Sequence, residues 1–205
     1  MPPTAPVRRK PQSPAESERE IVAAADKVLR ERPFHELTVD AIMRETGLKR
    51  PSFYVHFRDR NDVILRVVGT IGDELFDAAG HWYRDESDPV SSARRALEGV
   101  VAVYSRHGPV LRAVADAATD DADVERAYLG LVRRFADAAA DHIRKEQRAG
   151  RALAVDPDPT AEALTWLTER YLSQKLGRGE RPDSSGLVDV LLTIWLRSLY
   201  GDRSI

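Results

Sequence analysis

Arg50, Ser52, Tyr54 and His56 fall within seven residues of one another, and on a helix Arg50 shares a face with Tyr54 and Ser52 with His56, each pair four residues apart. A guanidinium suits a guanine edge or a phosphate, while the two hydroxyls and the imidazole can each donate to phosphate oxygens. Phe53 and Phe57, also four apart, point the other way and with Leu48 can make a small core. Pro51 suits a first helical turn, where a missing N–H costs nothing. The segment follows a short helical stretch that opens at Thr38 and closes at Gly47, so its grammar is helix, glycine turn, helix. An ordinary solvated face explains the polar set less well than a surface that meets nucleic acid.

Other chemistry is hard to assemble from these residues. There are 0 Cys, so no disulfide framework or thiolate metal site is available. His35, His56, His81, His107 and His142 show no ligand spacing with one another. Asp120, Asp121 and Asp123 lack the glycine and distal glutamate of an EF-hand loop and read as a helix start. No nucleophile elbow, phosphate loop or HExxH zinc motif occurs. No catalytic residue, metal or cofactor is therefore expected, and an enzyme on a helical scaffold is the weakest of three readings.

The elements that must position the polar set are helical throughout. Ile21, Val22, Ala25, Val28 and Leu29 mark a first helix from Glu16 to Arg32, ended by Pro33. Thr38 caps the second, and Asp59 or Asn61 caps a long helix carrying Val63, Ile64, Val67, Val68, Ile71, Leu75 and Phe76. Gly69 and Gly72 sit inside it, where close packing or a bend would account for them. Asp88-Pro89 opens a helix reaching His107-Gly108-Pro109, and Val110 to Ala118 reads as a separate short helix after that break. Val124, Tyr128, Leu131, Val132, Phe135, Ala139 and Ile143 line a long helix closing at Gly150, with His142 expected at the surface or as a satisfied core residue. Asp156-Pro157-Asp158-Pro159 is a turn before a helix that ends near Gly177. The last helix, about Ser185 to Tyr200, is apolar almost all round, so one face should cover the core and another meet a second copy.

With 205 residues, 42% hydrophobic and 31% charged, the chain can bury a real core. No apolar run is long enough for a membrane span or signal peptide, and cysteine usage fits a reducing cytoplasm. The net charge of −2 hides an asymmetry: residues 1–60 hold 12 Lys+Arg against 9 Asp+Glu, and the remainder 19 against 24. A basic head on an acidic body is what contact by the head alone with phosphate would require. Residues 1–15, with five prolines and the cluster Arg8-Arg9-Lys10, read as a mobile tail, with a minor-groove arm as the functional alternative.

The run Leu37-Thr38-Val39-Asp40 through Gly47 to Phe53-Tyr54-Val55-His56-Phe57 and Arg60 resembles the DNA-binding segment of TetR-type repressors, most of all the ethionamide-resistance regulator branch. The closing segment Thr193 to Gly201 resembles that branch too. The resemblance implies an all-α fold of about nine helices: a three-helix DNA-binding head at 16–60 and a ligand-binding, dimerising bundle at 61–205. It implies DNA contacts from Thr38, Lys49, Arg50, Pro51, Ser52, Tyr54, His56 and Arg60. Lys49 stands where the family usually has a capping serine, which costs about 1 kcal/mol of capping but adds charge toward DNA. Arg60 stands for the usual lysine, and either cation serves a phosphate. The positions matching the branch's pocket are Tyr128, Phe135, Thr165, Thr168 and Trp195, with Tyr104 nearby. Two threonines stand for asparagines, and Tyr128 and Phe135 stand for tryptophans.

The expected protein is thus a cytoplasmic, homodimeric, ligand-responsive repressor released from a palindromic duplex operator by a small apolar effector. Dimerisation is expected through the last two helices, with Val188 and Leu192 as candidate interface positions. An architectural DNA-binding protein without effector is the second reading, and a ligand-sized cavity lined by aromatics separates the two.

Overall fold

Helix starts in this chain are written in short polar side chains, beginning with a reciprocal cap at Ser13. In the computed structural model, which describes residues 13–32, 34–84, 88–178 and 183–201, the Glu16 N–H donates to Ser13 Oγ at 3.3 Å and the Ser13 N–H to Glu16 Oε2 at 2.7 Å. With Pro14 in the first turn, this starts α1 (Pro14–Glu31) ahead of the expected Glu16. Pro14 and Ala15 therefore belong to the helix and not to a tail; the expected arm at 1–12 lies outside the described residues.

A 3-10 turn (Phe34–Glu36) leads to α2 (Val39–Arg44) and α3 (Arg50–His56). The long α4 (Arg60–Arg84) follows, capped by Asp59, whose Oδ1 accepts the N–H groups of Asn61 and Asp62 at 2.9 and 3.0 Å. The body adds α5 (Pro89–Ala117), α6 (Ala122–Arg148), α7 (Pro157–Leu176) and α8 (Ser184–Tyr200), begun by Asp88, Asp121, Asp156 and Asp183 respectively. Asp156-Pro157-Asp158-Pro159 is less a turn than the cap and first turn of α7.

Eight α-helices are described in place of about nine, because α5 runs straight through Pro109. A proline costs a helix one hydrogen bond and some crowding, but packing decides here. A Cβ on Gly108 would meet the Leu176 carbonyl oxygen at 2.5 Å, so backbone lies against backbone where α5 crosses the end of α7. A Cβ on Gly72 of α4 would meet Leu131 Cδ1 at 2.7 Å, the end of a flexible side chain that can move aside more readily than backbone. At Gly69 a Cβ would meet nothing within 4 Å, so packing does not explain that glycine.

One apolar core runs through head and body without a break. In the head, Ile21, Leu37, Ile42, Phe53 and Phe57 close around the start of α4, where Val63 and Ile64 are fully buried. In the body, α5 is the central rod, packed on α4, α7 and α8, while α6 pairs with α7 and α4. The helix α4 thus belongs to both the head and the body parts of this core. No helix among the described residues is long and apolar enough to cross a membrane.

Candidate functional site

The turn between α2 and α3 is fixed from behind by α1. Glu20 Oε1 accepts the Gly47 N–H at 2.8 Å, and Lys27 pairs with Glu45 at 2.6 Å. Thr38 caps α2 by accepting the Ala41 N–H at 3.1 Å, which leaves its exposed hydroxyl hydrogen free to point outward. Lys49, at the start of α3, makes no side-chain cap, as its substitution for a capping residue implies. Phe53 inserts completely and Phe57 almost so.

The opposite face carries the expected polar set. Lys49, Arg50, Pro51 and Tyr54 are exposed, with Ser52 and His56 half-buried. Arg50 Nη2 donates to the Tyr54 hydroxyl at 3.2 Å, and the other amino group pairs with Asp40 Oδ1. Sequence reasoning placed Asp40 in a first turn only; its pairing with a residue ten positions on, across the turn, has no local signal. Both side chains are exposed and screened by water, so the pair aims Arg50 without locking it. Val55, 75% exposed at the same surface, was missed as well; an apolar residue with nothing to cover it is the available clue.

Arg60 is placed differently. Its Nη1 donates to the Leu37 carbonyl at 3.3 Å, and its guanidinium lies over the Phe34 ring at 5.4 Å. In this arrangement it ties the 3-10 turn to α4 and does not reach outward with the others. The head also meets the body through polar contacts: Asn61 Nδ2 donates to Asp121 Oδ2 at 2.5 Å, joining the start of α4 to the cap of α6. His107 on α5 sits between Asp26 Oδ1 of α1 at 3.3 Å and Glu74 Oε2 of α4 at 3.2 Å.

Within the body lies a cavity of about 120 Å³, walled by α4, α5, α6, α7 and α8. All six sequence-predicted residues, Tyr104, Tyr128, Phe135, Thr165, Thr168 and Trp195, line it, although they come from four different helices, α5 to α8. The remaining wall is almost wholly aliphatic and aromatic, with Val68, Leu75, Trp82 and Tyr83 from α4. Trp82 and Trp195 meet edge to face with centroids 5.2 Å apart.

Polar groups in the wall divide into used and unused. Thr168 Oγ1 accepts the Trp195 indole N–H at 2.9 Å and donates to the Leu164 carbonyl at 2.9 Å. Its hydroxyl is therefore spoken for, and it orients the tryptophan more than it faces an occupant. Glu169 was missed by sequence reasoning, although it lies one turn after Thr165 on the same face. Its side chain is buried beside the Tyr128 hydroxyl, and neither its Oε2 nor that hydroxyl makes a well-formed hydrogen bond among the described residues. Burial pushes the Glu169 carboxyl above the ordinary carboxylate range, although the nearby Tyr128 hydroxyl and Arg170 pull the other way. Burial likewise raises the phenol of Tyr104, with Glu169 and Tyr128 adding to the effect.

His142, expected at the surface or satisfied, is neither: it is buried against Trp82, ring centroids 4.1 Å apart, with both nitrogens unpartnered. Burial lowers its affinity for a proton. No group of three or more His, Cys, Asp or Glu among the described residues is arranged to hold a metal ion. On α8, Val188 and Leu192 are buried in this chain's own core, so neither offers a free face for a second copy. The hand of the apolar pattern was misread because α8 is apolar nearly all round; Val190 on α8 and Leu167 on α7 are the exposed large apolar residues there, at 45% and 38%.

Comparison with known proteins points the same way. The family described as "Bacterial regulatory proteins, tetR family" matches residues 21–67, and "Transcriptional regulator EthR, C-terminal domain" matches 93–201, more than half of the chain. The chain is 28% identical over 202 residues to the HTH-type transcriptional regulator EthR of Mycolicibacterium smegmatis, covering 94% of this chain and 91% of that protein. To EthR of Mycobacterium tuberculosis it is 26% identical over 202 residues, covering 95% and 93%. Among solved structures, the fatty acid degradation regulator FadR from Bacillus halodurans superposes with a TM-score of 0.78 at 14% identity, covering 96% of this chain and all of that one.

Proposed function

The chain belongs to the TetR family of transcriptional regulators, with a C-terminal domain of the EthR type, and from that premise we propose that it is a repressor whose operator affinity is set by a small molecule held in the body cavity. The observation that carries the reading is the double membership of α4. Val63 and Ile64 at its start are buried in the head core, and Leu75, Ala79, Trp82 and Tyr83 further along it line the cavity. An occupant that needs more than about 120 Å³ presses on α4 as one of five walls, and a shift of α4 reaches α3 through α1, against which both pack. The space is close to that of an engineered cavity of about 150 Å³ that admits benzene. A drug-sized ligand would need a pocket of roughly 300–1,000 Å³, so it would enlarge this one.

The division of labour follows: residues 14–60 read DNA through α3, and residues 61–205 bind the effector and pair with a second copy through α7 and α8. Leu167 and Val190 supply the apolar exposure for that pairing in place of Val188 and Leu192. Thr38, Lys49, Arg50, Ser52, Tyr54 and His56 meet the DNA, with Pro51 at the same edge, while Arg60 steadies the turn. The reading gives the chain no catalytic step and a cytoplasmic place of work beside DNA. An architectural protein without effector has no use for the cavity or for the unpaired polar groups in its wall.

Selection of bound duplexes from a random pool tests the reading. A dimer should return a palindrome whose half-sites lie about 34–36 Å apart or a multiple of one DNA turn. Recovery of asymmetric sites, or of no preferred sequence, would contradict it.

A further inference from the structure

Resting on the reading of the cavity as the effector site, we infer that its occupant is an apolar molecule bearing a basic amine, with the amine placed on the Glu169 carboxylate and the apolar body among Trp82, Phe135 and Trp195. Glu169 is the one Asp, Glu, Lys, Arg or His among the residues that line the cavity. Its side chain is buried and its Oε2 makes no well-formed hydrogen bond, so the protein holds an acceptor in an apolar chamber whose lining contains no Lys, Arg or His to meet it. A buried carboxylate without partner is costly, and a ligand that brings an ammonium removes that cost while having its own charge paired. The Tyr128 hydroxyl, also unpartnered at the same wall, completes the polar end.

The alternatives meet this wall less well. An effector without a polar group would seal Glu169 and Tyr128 away from any partner but each other. A carboxylate-bearing effector would bring like charge against Glu169 in a low-dielectric space. Thr168 cannot take over the polar anchoring, because its hydroxyl already serves Trp195 and Leu164.

Benzylamine, toluene and benzoate, matched in size to a cavity of about 120 Å³, give the test by titration calorimetry on the full chain near neutral pH. In the wild type, benzylamine should bind roughly tenfold or more tighter than toluene, and benzoate weakest of the three. In Glu169→Gln the advantage of benzylamine over toluene should vanish while toluene is held as before. Tyr128→Phe should keep most of the advantage. If toluene matches benzylamine in the wild type, or the advantage persists in Glu169→Gln, the amine inference is overturned and the effector reading stands. If none of the three binds and none raises the melting temperature, the effector reading falls and takes the inference with it. Should Glu169→Gln fail to fold by circular dichroism, the wild-type ratio of benzylamine to toluene decides.

Discussion

Two buried glutamates in the same helical body are treated in opposite ways. Glu146, near the end of α6, is clasped by Arg151 through two hydrogen bonds of 2.9 and 2.5 Å, and the Tyr200 hydroxyl approaches it at 3.5 Å. Glu169, midway along α7, has an oxygen with no partner and faces a void. The Arg151 guanidinium holds the Glu146 carboxyl below the ordinary range, whereas burial pushes that of Glu169 above it. The first fastens the α6–α7 connection to α8, where the Leu153 N–H also donates to the Leu199 carbonyl at 2.7 Å. A buried charge whose partners are supplied by the chain is structural; one whose partner is missing is an opening for something else.

The largest effect should come from removing the satisfied one. Glu146→Ala removes the buried carboxylate that Arg151 clasps and should cost about 2–4 kcal/mol in thermal denaturation, somewhat under the full cost of breaking a buried pair because Arg151 is 41% exposed. The pH dependence follows from the sign of its shift. A carboxyl whose folded value is depressed adds stability above its ordinary value of 4.5 that is lost as pH falls through the folded value. The acid melting curve of the variant should therefore be flatter below that point than that of the wild type.

The smaller effect runs the other way. Glu169→Gln should change stability near neutral pH by no more than about 1 kcal/mol, and upward, since a buried carboxylate with an oxygen left unsatisfied costs more than a neutral amide. With its folded value raised, the penalty is absent below 4.5 and grows as pH rises through the raised value. The gain in the variant should grow with pH over that window in parallel melts. Equal losses from the two substitutions would erase the distinction between them.

Much of this was legible in the chain. The head could be read because its signals are local: the Thr38 cap, the closing glycine and the spacing of Phe53 and Phe57 are all met within twenty residues. The Ser13 box was there to be read as well, being a serine followed three residues later by a glutamate. The six pocket positions came from family resemblance and not from periodicity, which cannot distinguish a residue lining a void from one filling it. Glu169 went unnoticed for a related reason. Its helix is polar and apolar in no clean stripe, so nothing in the pattern says that this acidic residue faces inward. The partners of Arg60 and Asp40, Leu37 and Arg50, could not be read in advance because the tertiary turn chooses them. Val188 and Leu192 were misjudged because an all-round apolar helix does not declare which side is already covered.

The central claim is that occupancy of the cavity and affinity for DNA are coupled through α4. It is tested most directly by titrating the selected operator with the dimer at fixed salt, with and without saturating amounts of a ligand that thermal shift shows to bind. Coupling of about 1.4 kcal/mol between the two sites would weaken operator binding tenfold. A loss of that size or greater, abolished when Trp195→Ala removes the ligand's contact, is the result expected. A ligand that stabilises the protein while leaving operator affinity unchanged would contradict the account.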